Sequence, residues 1–274
     1  MVKQDVYLHG HDESVVSQHA MRTAGEAAAF FRPHLRSDMN LLDMGCGPGS
    51  ITVGLAEWLP DGHVTGLDFD ESVVETAQKD AAERGLTNID FISGSVYELP
   101  FEDSSFDAIY SHQVLQHLSD PQGMLKEALR VVKPGGVVGI REVDWGTARW
   151  WPESEALSRF LEIYNAVADR NGGDANMGRR VRSEMNKAGF VNVAVGAGAW
   201  SFGNPEEIKG WGEQWATRTL ESNIATKAVE YGISDRSELE SVSEGWTVWS
   251  RDPDAYYTFI HAEALGWKPA AASQ

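Results

Sequence analysis

The sequence predicts an α/β protein with a mostly parallel sheet covered by helices on both faces. Three observations carry that prediction. Short apolar runs alternate with stretches of helical spacing through the first 145 residues, the pattern of repeated strand–helix units. The apolar runs are continuous, as in strands buried on both sides. A glycine-rich loop, LLDMGCGPGS at 41–50, separates the first of these runs from the helical pattern that follows.

In chain order, Val15, Val16, Ala20, Met21, Ala24, Ala27, Ala28 and Phe31 fall near helical spacing and predict an N-terminal helix ended by Pro33. MNLLDMG predicts the first strand, ITVGLAEWL a helix closed by Pro60, and HVTGLDFD the second strand. ESVVETAQKDAAERG predicts a helix that stops at Gly85. IDFISGS and SFDAIYSHQ predict strands three and four, VLQHLSDPQGMLKEALRVV (114–132) one helix, KPGG a turn and VVGIREVDW the fifth strand. Residues 153–170 and 177–190 predict two more helices, the second ending at Gly189, and VNVAVGAGAWSF a sixth strand. Residues 204–255 look like broken helices, and YYTFIHAEALGWKP a last edge strand or strand pair. The reading is one domain: an N-terminal cap (1–34), a core (35–145), and a substrate side (146–274) in which 204–255 is an insertion covering the strand ends.

The chain has 274 residues and a formal net charge of −18, a field that repels phosphate backbones and anionic lipid and argues against nucleic-acid or membrane partners. No run approaches the roughly 18 apolar residues of a membrane span, and the N-terminus lacks an apolar signal core. The single cysteine, Cys46, excludes an intrachain disulfide and suits a reducing cytoplasm. The expectation is a cytoplasmic protein, monomer or homodimer.

Ligands of such sheets bind outside the carboxyl ends of the strands. Asp43, Asp68, Ser95, Ser111 and Glu142 all fall there. The loop glycines stand at 45, 47 and 49, whereas a dinucleotide site needs G-x-G-x-x-G; Ser50 occupies the place of its third glycine and Pro48 removes an amide donor. Asp43, two residues ahead of Gly45, is awkward beside a pyrophosphate and useful beside an ammonium or sulfonium. The loop therefore favours a cationic, phosphate-free nucleoside.

LLDMGCGPGS, GLDFDESVVETAQ, ISGSVYELPF, SFDAIYSHQVLQHLSDP and LRVVKPGG, in that order and spacing, resemble the motifs of class I S-adenosylmethionine-dependent methyltransferases over roughly residues 35–145. HGHDESVVSQHAMRT and the tail resemble, more loosely, the small-molecule enzymes of the ubiquinone/menaquinone-methyltransferase-like group. The resemblance implies a Rossmann-like, seven-stranded, mostly parallel sheet and S-adenosylmethionine as cofactor. It implies that Gly45, Cys46, Gly47 and Gly49 face the methionine part and ribose, with Asp43 near the amino group or its water. Asp68 would accept from the ribose hydroxyls and Phe69 lie against adenine. Ser95 and Val96 would flank the adenine edge, Ser95 standing where many relatives carry Asp. Ser111 would lie near the methionine moiety.

Methyl transfer from a sulfonium is an in-line displacement that needs no metal, and no C-x-x-C or H-E-x-x-H companion turns His9, His11 and His19 into a metal site. Alignment supplies much of the rate. Candidate bases are His112, His117 and Glu142. If the N-terminal helix closes over the cofactor, Tyr7, His19 and Arg22 touch the cofactor carboxylate or the substrate. Nine of the ten tryptophans follow residue 140; Trp145, Trp211 and Trp215 are candidate substrate contacts for a flat or apolar acceptor. The predicted function is methyl transfer to a small aromatic or apolar metabolite. The rivals are an NAD-dependent oxidoreductase and a non-catalytic S-adenosylmethionine-binding protein.

Overall fold

The structure, a computed structural model, describes residues 22–270; Tyr7, His19 and most of the expected N-terminal helix lie outside the described residues. Seven strands form one sheet among the described residues: β1 (Asn40–Met44), β2 (His63–Asp68), β3 (Ile89–Ser93), β4 (Phe106–His112), β5 (Val132–Trp151), β6 (Val191–Phe202) and β7 (Tyr256–Trp267). Their order is β3-β2-β1-β4-β5-β7-β6; the first five are parallel, and β7 is antiparallel to both neighbours. The order reverses between β1 and β4, which opens a crevice at their carboxyl ends, where such sheets bind ligands.

Helices α1 (Ala24–Ala27), α2 (Ser50–Trp58), α3 (Glu71–Glu83), α4 (Pro121–Val131), α5 (Glu155–Arg170), α6 (Val181–Ala188), α7 (Pro205–Glu221), α8 (Asn223–Glu230) and α9 (Arg236–Trp249) start and stop on local chemistry. Asp70 caps α3 by accepting from the amides of Ser72 and Val73, and Asn204 with Glu207 forms a capping box on α7 with Pro205 in its first turn. Gly85 and Gly189 follow their helices in the left-handed region, at φ 70° and 107°.

Three apolar clusters hold the layers. One face of the sheet buries Leu41, Val64 and Tyr110 against Phe31, Ile51 and Val74. The other buries Leu42, Ile109 and Ile140 against Met124, Leu125, Val181 and Met185. The third joins α5 and α7–α9 to the ends of β5 and β7 through Trp145, Phe160, Trp215, Trp246 and Phe259.

Four expectations are corrected. Residues 114–132 are not one helix: a 3-10 turn at Leu115–His117 precedes α4, because Leu118 is extended and Asp120, accepting from the Gly123 amide, starts a new helix with Pro121. The fifth strand does not stop at Trp145; past an irregularity between Asp144 and Arg149 it runs to Trp151, paired with Tyr256. The last strand is not at the edge: β7 inserts between β5 and β6, which leaves β6 outermost. Pro33 does not end the N-terminal helix; α1 stops at Ala27, and Pro33 sits in a separate 3-10 turn, Arg32–His34.

Candidate active site

The glycine loop is tied down by the end of β2: the amides of Gly45 and Cys46 both donate to the Leu67 carbonyl, at 2.7 and 3.0 Å. Gly45, Gly47 and Gly49 all have positive φ, at 77°, 54° and 81°, which side chains resist. Their surroundings differ. A Cβ on Gly45 would collide with the Val114 side chain, and one on Gly49 would lie 2.8 Å from Ala77 and 2.9 Å from Phe91. A Cβ on Gly47 would meet no heavy atom within 4 Å, so the loop opens there.

Around this opening stand the residues predicted for the cofactor. Asp68, at the end of β2, accepts from the Gly47 amide at 2.9 Å and from the Asp70 amide at 3.2 Å, so it shapes the loop it borders. It is not the cap of α3; Asp70 is. Phe69 is 55% exposed beside it, a phenyl face held out of the core. Ser95 and Val96 are half-buried after β3, with the Ser95 hydroxyl accepting from the Tyr97 amide. Asp43 is buried under the loop, accepting from the Thr52 hydroxyl at 2.7 Å. Burial, helped by the charge of Asp68, pushes its carboxyl up to about 7. Cys46 is buried too, and burial with the charges of Asp43 and Asp68 holds its thiol well above the ordinary range, so it is no nucleophile. Ser111 spends its hydroxyl on the Met44 carbonyl, 3.0 Å away, which joins β4 to β1 rather than facing outward.

The second half of the site lies on the sheet face that carries His112. The His112 ring stands 6.1 Å from the ring of His261 and 6.4 Å from Trp200, with Tyr110 behind it. Tyr110 gives its hydroxyl proton to the Ala27 carbonyl at 2.7 Å, so its oxygen is left to accept from His112 Nδ1 at 3.4 Å. That tautomer makes Nε2 the basic nitrogen of His112. Arg141, level with His112 on β5, is 2% exposed and pairs with Glu263 of β7 at 3.3 Å, not with Glu142. Arg22 and Arg141 each hold a guanidinium 5.4 Å from the Trp200 ring centre. Arg22 thus sits beside Arg141 over Trp200. Gln113, in the left-handed region at φ 56°, reaches His261 Nε2 at 2.6 Å. Trp200, Gln113 and His261 were missed by sequence reasoning. The one available signal was the polar alternation of His261 and Glu263 in an otherwise apolar strand.

Other candidates are placed elsewhere. Glu142 is fully buried on the opposite sheet face, and Oε1 accepts from the amides of Val114 and Leu115 at 2.9 and 2.7 Å. Burial pushes its carboxyl up to about 8. It supports the loop after β4. His117 belongs to the 3-10 turn on that loop. Trp145, Trp211 and Trp215 are 5%, 4% and 2% exposed, with rings packed on Phe259, Phe202 and Phe160 at 5.0, 4.2 and 5.0 Å. These three build the core under α7 and α9 instead of a surface. Among the described residues no metal-holding cluster occurs, and no helix is long and apolar enough to cross a membrane.

Comparison with known proteins decides the family. Residues 35–193 match the family described as "Methyltransferase domain". An uncharacterized methyltransferase of Schizosaccharomyces pombe is 32% identical over 254 residues, 90% of each chain. The chain belongs to the class I S-adenosylmethionine-dependent methyltransferases. Demethylmenaquinone methyltransferase of Listeria monocytogenes is 41% identical over 115 residues, covering 42% of this chain and 48% of that one. The Haemonchus contortus phosphoethanolamine N-methyltransferase 2, solved with phosphomonomethylethanolamine and S-adenosylhomocysteine, shares the fold at TM-score 0.55 and 18% identity, over 89% of this chain and 52% of that one. The cofactor of this methyltransferase is S-adenosylmethionine, and the open side of Gly47 beside Asp68 and Phe69 fits such a nucleoside.

The unequal surroundings of the glycines separate binding from folding. Gly47→Ala is expected to lower stability by only about 1–2 kcal/mol, the left-handed penalty. It should weaken S-adenosylhomocysteine binding by more than tenfold, because the methyl enters the ligand's space. Gly45→Ala adds the clash with Val114 and should destabilise by about 2–4 kcal/mol. Denaturant titration and calorimetry on both variants check the contrast; equal losses of stability would refute it.

Proposed function

We propose that this methyltransferase methylates a small organic acceptor with an aromatic or apolar body, bound beside His112 and Trp200. The observation that carries the reading is the adjacency of two halves across the crevice. The glycine loop leaves β1, and His112 ends β4, the neighbouring strand. The half-buried Trp200 of β6 supplies an aromatic surface there, backed edge-on by the buried Phe259 of β7 at 5.6 Å. A chain of net charge −18 suits a small acceptor better than a nucleic acid.

Bound S-adenosylmethionine supplies an electrophilic methyl on a sulfonium. In this reading Gly45, Gly47, Asp68, Phe69, Ser95 and Val96 hold the nucleoside, and Asp43 braces their loop from beneath through Thr52. His112 Nε2 takes the proton that the acceptor loses as the new bond to carbon forms. We assign the enzyme to the cytoplasm, with α7–α9 as the insertion on the substrate side.

The test begins with calorimetry against S-adenosylhomocysteine and NAD, then follows methyl label from S-adenosylmethionine into phenols, indoles, quinones and amines. Tight binding of NAD alone would return the oxidoreductase reading; cofactor binding with no transfer across the panel would favour a non-catalytic binding protein. With the acceptor found, His112→Ala should lower kcat by roughly 10²–10⁴-fold and leave S-adenosylhomocysteine affinity unchanged.

A further inference from the structure

Beside His112 the sheet buries two hydrogen-bond donors with nothing to donate to. Nη1 of Arg141 is out of contact with solvent and has no hydrogen-bond partner among the described residues, and the same holds for Nδ1 of His261. Among the described residues, Arg141 makes one ion pair, from Nε to Glu263 at 3.3 Å, which leaves Nη1 unused. The Gln113 side-chain amide can only donate through Nε2, so His261 Nε2 accepts and the ring proton sits on Nδ1. Burial, with the charges of Arg141 and Arg22, keeps that ring neutral. The two side chains share one sheet face: Arg141 pairs with Glu263, and His261 stands two residues from Glu263 on β7. A buried guanidinium short of partners is costly unless an anion completes it. Arg22, also over Trp200, adds a second guanidinium beside this pair, in a chain of net charge −18.

We propose that Arg141 and His261 form the recognition site for a carboxylate carried by the methyl acceptor. This rests on the acceptor lying beside His112, as in the proposed function. The guanidinium and the Nδ1–H together offer a charge-assisted pair of donors to one carboxylate. Trp200 lies under the same guanidinium and suits the flat body to which the carboxylate is attached. The carboxylate is a handle and not the atom methylated, because a guanidinium on the attacking oxygen would withdraw the electrons that displacement needs.

The experiment uses protein saturated with S-adenosylhomocysteine and matched probes, titrated by tryptophan fluorescence and ligand-observed NMR. The probes are acetate, benzoate and indole-3-acetate against acetamide, benzamide and indole-3-acetamide. At least one acid should bind about tenfold or more tighter than its amide. That preference should vanish in Arg141→Gln, persist in part in Arg141→Lys, and weaken in His261→Phe. Equal binding of acids and amides by the wild-type protein overturns the proposal, even if no variant folds. So does a preference that survives Arg141→Gln in protein that still binds S-adenosylhomocysteine. Failure of the wild-type protein to bind S-adenosylhomocysteine would instead sink the proposed function.

Discussion

Asp68→Ala is expected to cost about 2–4 kcal/mol of cofactor affinity, roughly a 30- to 1000-fold rise in the dissociation constant of S-adenosylhomocysteine. The carboxylate has two jobs at once. It accepts from the Gly47 amide and so fixes the open turn of the loop, and it borders the opening where the ribose is expected. Hydrogen bonds to a charged group contribute more than neutral ones, and removing this carboxylate loses the backbone and ligand bonds together. Asp68→Asn keeps an acceptor oxygen for one of them and should fall between the two proteins. Calorimetric titration gives the answer; an Asp68→Ala protein that binds within threefold of wild type would contradict the assignment.

The second large effect concerns stability. Glu142→Ala leaves the Val114 and Leu115 amides without their acceptor and empties a fully buried site, with an expected loss of about 3–5 kcal/mol. The wild-type carboxyl also makes stability depend on pH, with a definite sign. Its ordinary value is 4.5 and burial lifts it to about 8, so the folded chain keeps a proton that the unfolded chain releases. The contribution is fully present below 4.5 and is lost as pH rises through about 8. Asp43 acts with the same sign between its ordinary 3.8 and about 7. His261, held well below its ordinary 6.5, acts with the opposite sign, but only below that value. Stability should therefore fall from pH 6.5 to 8. Glu142→Gln, which keeps an acceptor and cannot ionise, should flatten that fall. Urea midpoints across the interval measure it; parallel curves for the two proteins would show that Glu142 is already charged.

The local signals in the sequence were dependable where geometry is local. The three glycines occupy the left-handed conformations that only glycine adopts easily, and the strand–helix alternation gave the parallel sheet its outline. Proline and aspartate also carried usable information: the break before α4 was legible in Asp120-Pro121, yet apolar periodicity on both sides of it hid the turn. The tryptophans misled because an indole at helical spacing looks the same whether it faces a ligand or a neighbouring helix. Trp211 and Trp215 face Phe202 and Phe160, while Trp200, on a strand with little apolar contrast, faces Arg141 and His261.

By itself the sequence determined the α/β class, the glycine loop after β1 and the acid at the end of β2, Asp68, because each depends on residues close together in the chain. Only the tertiary structure brought together the residues around His112, on β4 to β7. His112, Arg141, Trp200 and His261 come from four strands, and what joins them is the insertion of β7 between β5 and β6. Arg141 and Glu142, neighbours on β5, face opposite sides by strand alternation, and the pairing decided which face each one took. Strand order and register are set by long-range hydrogen bonding and by burial of whole sheet faces. No spacing along the chain records them.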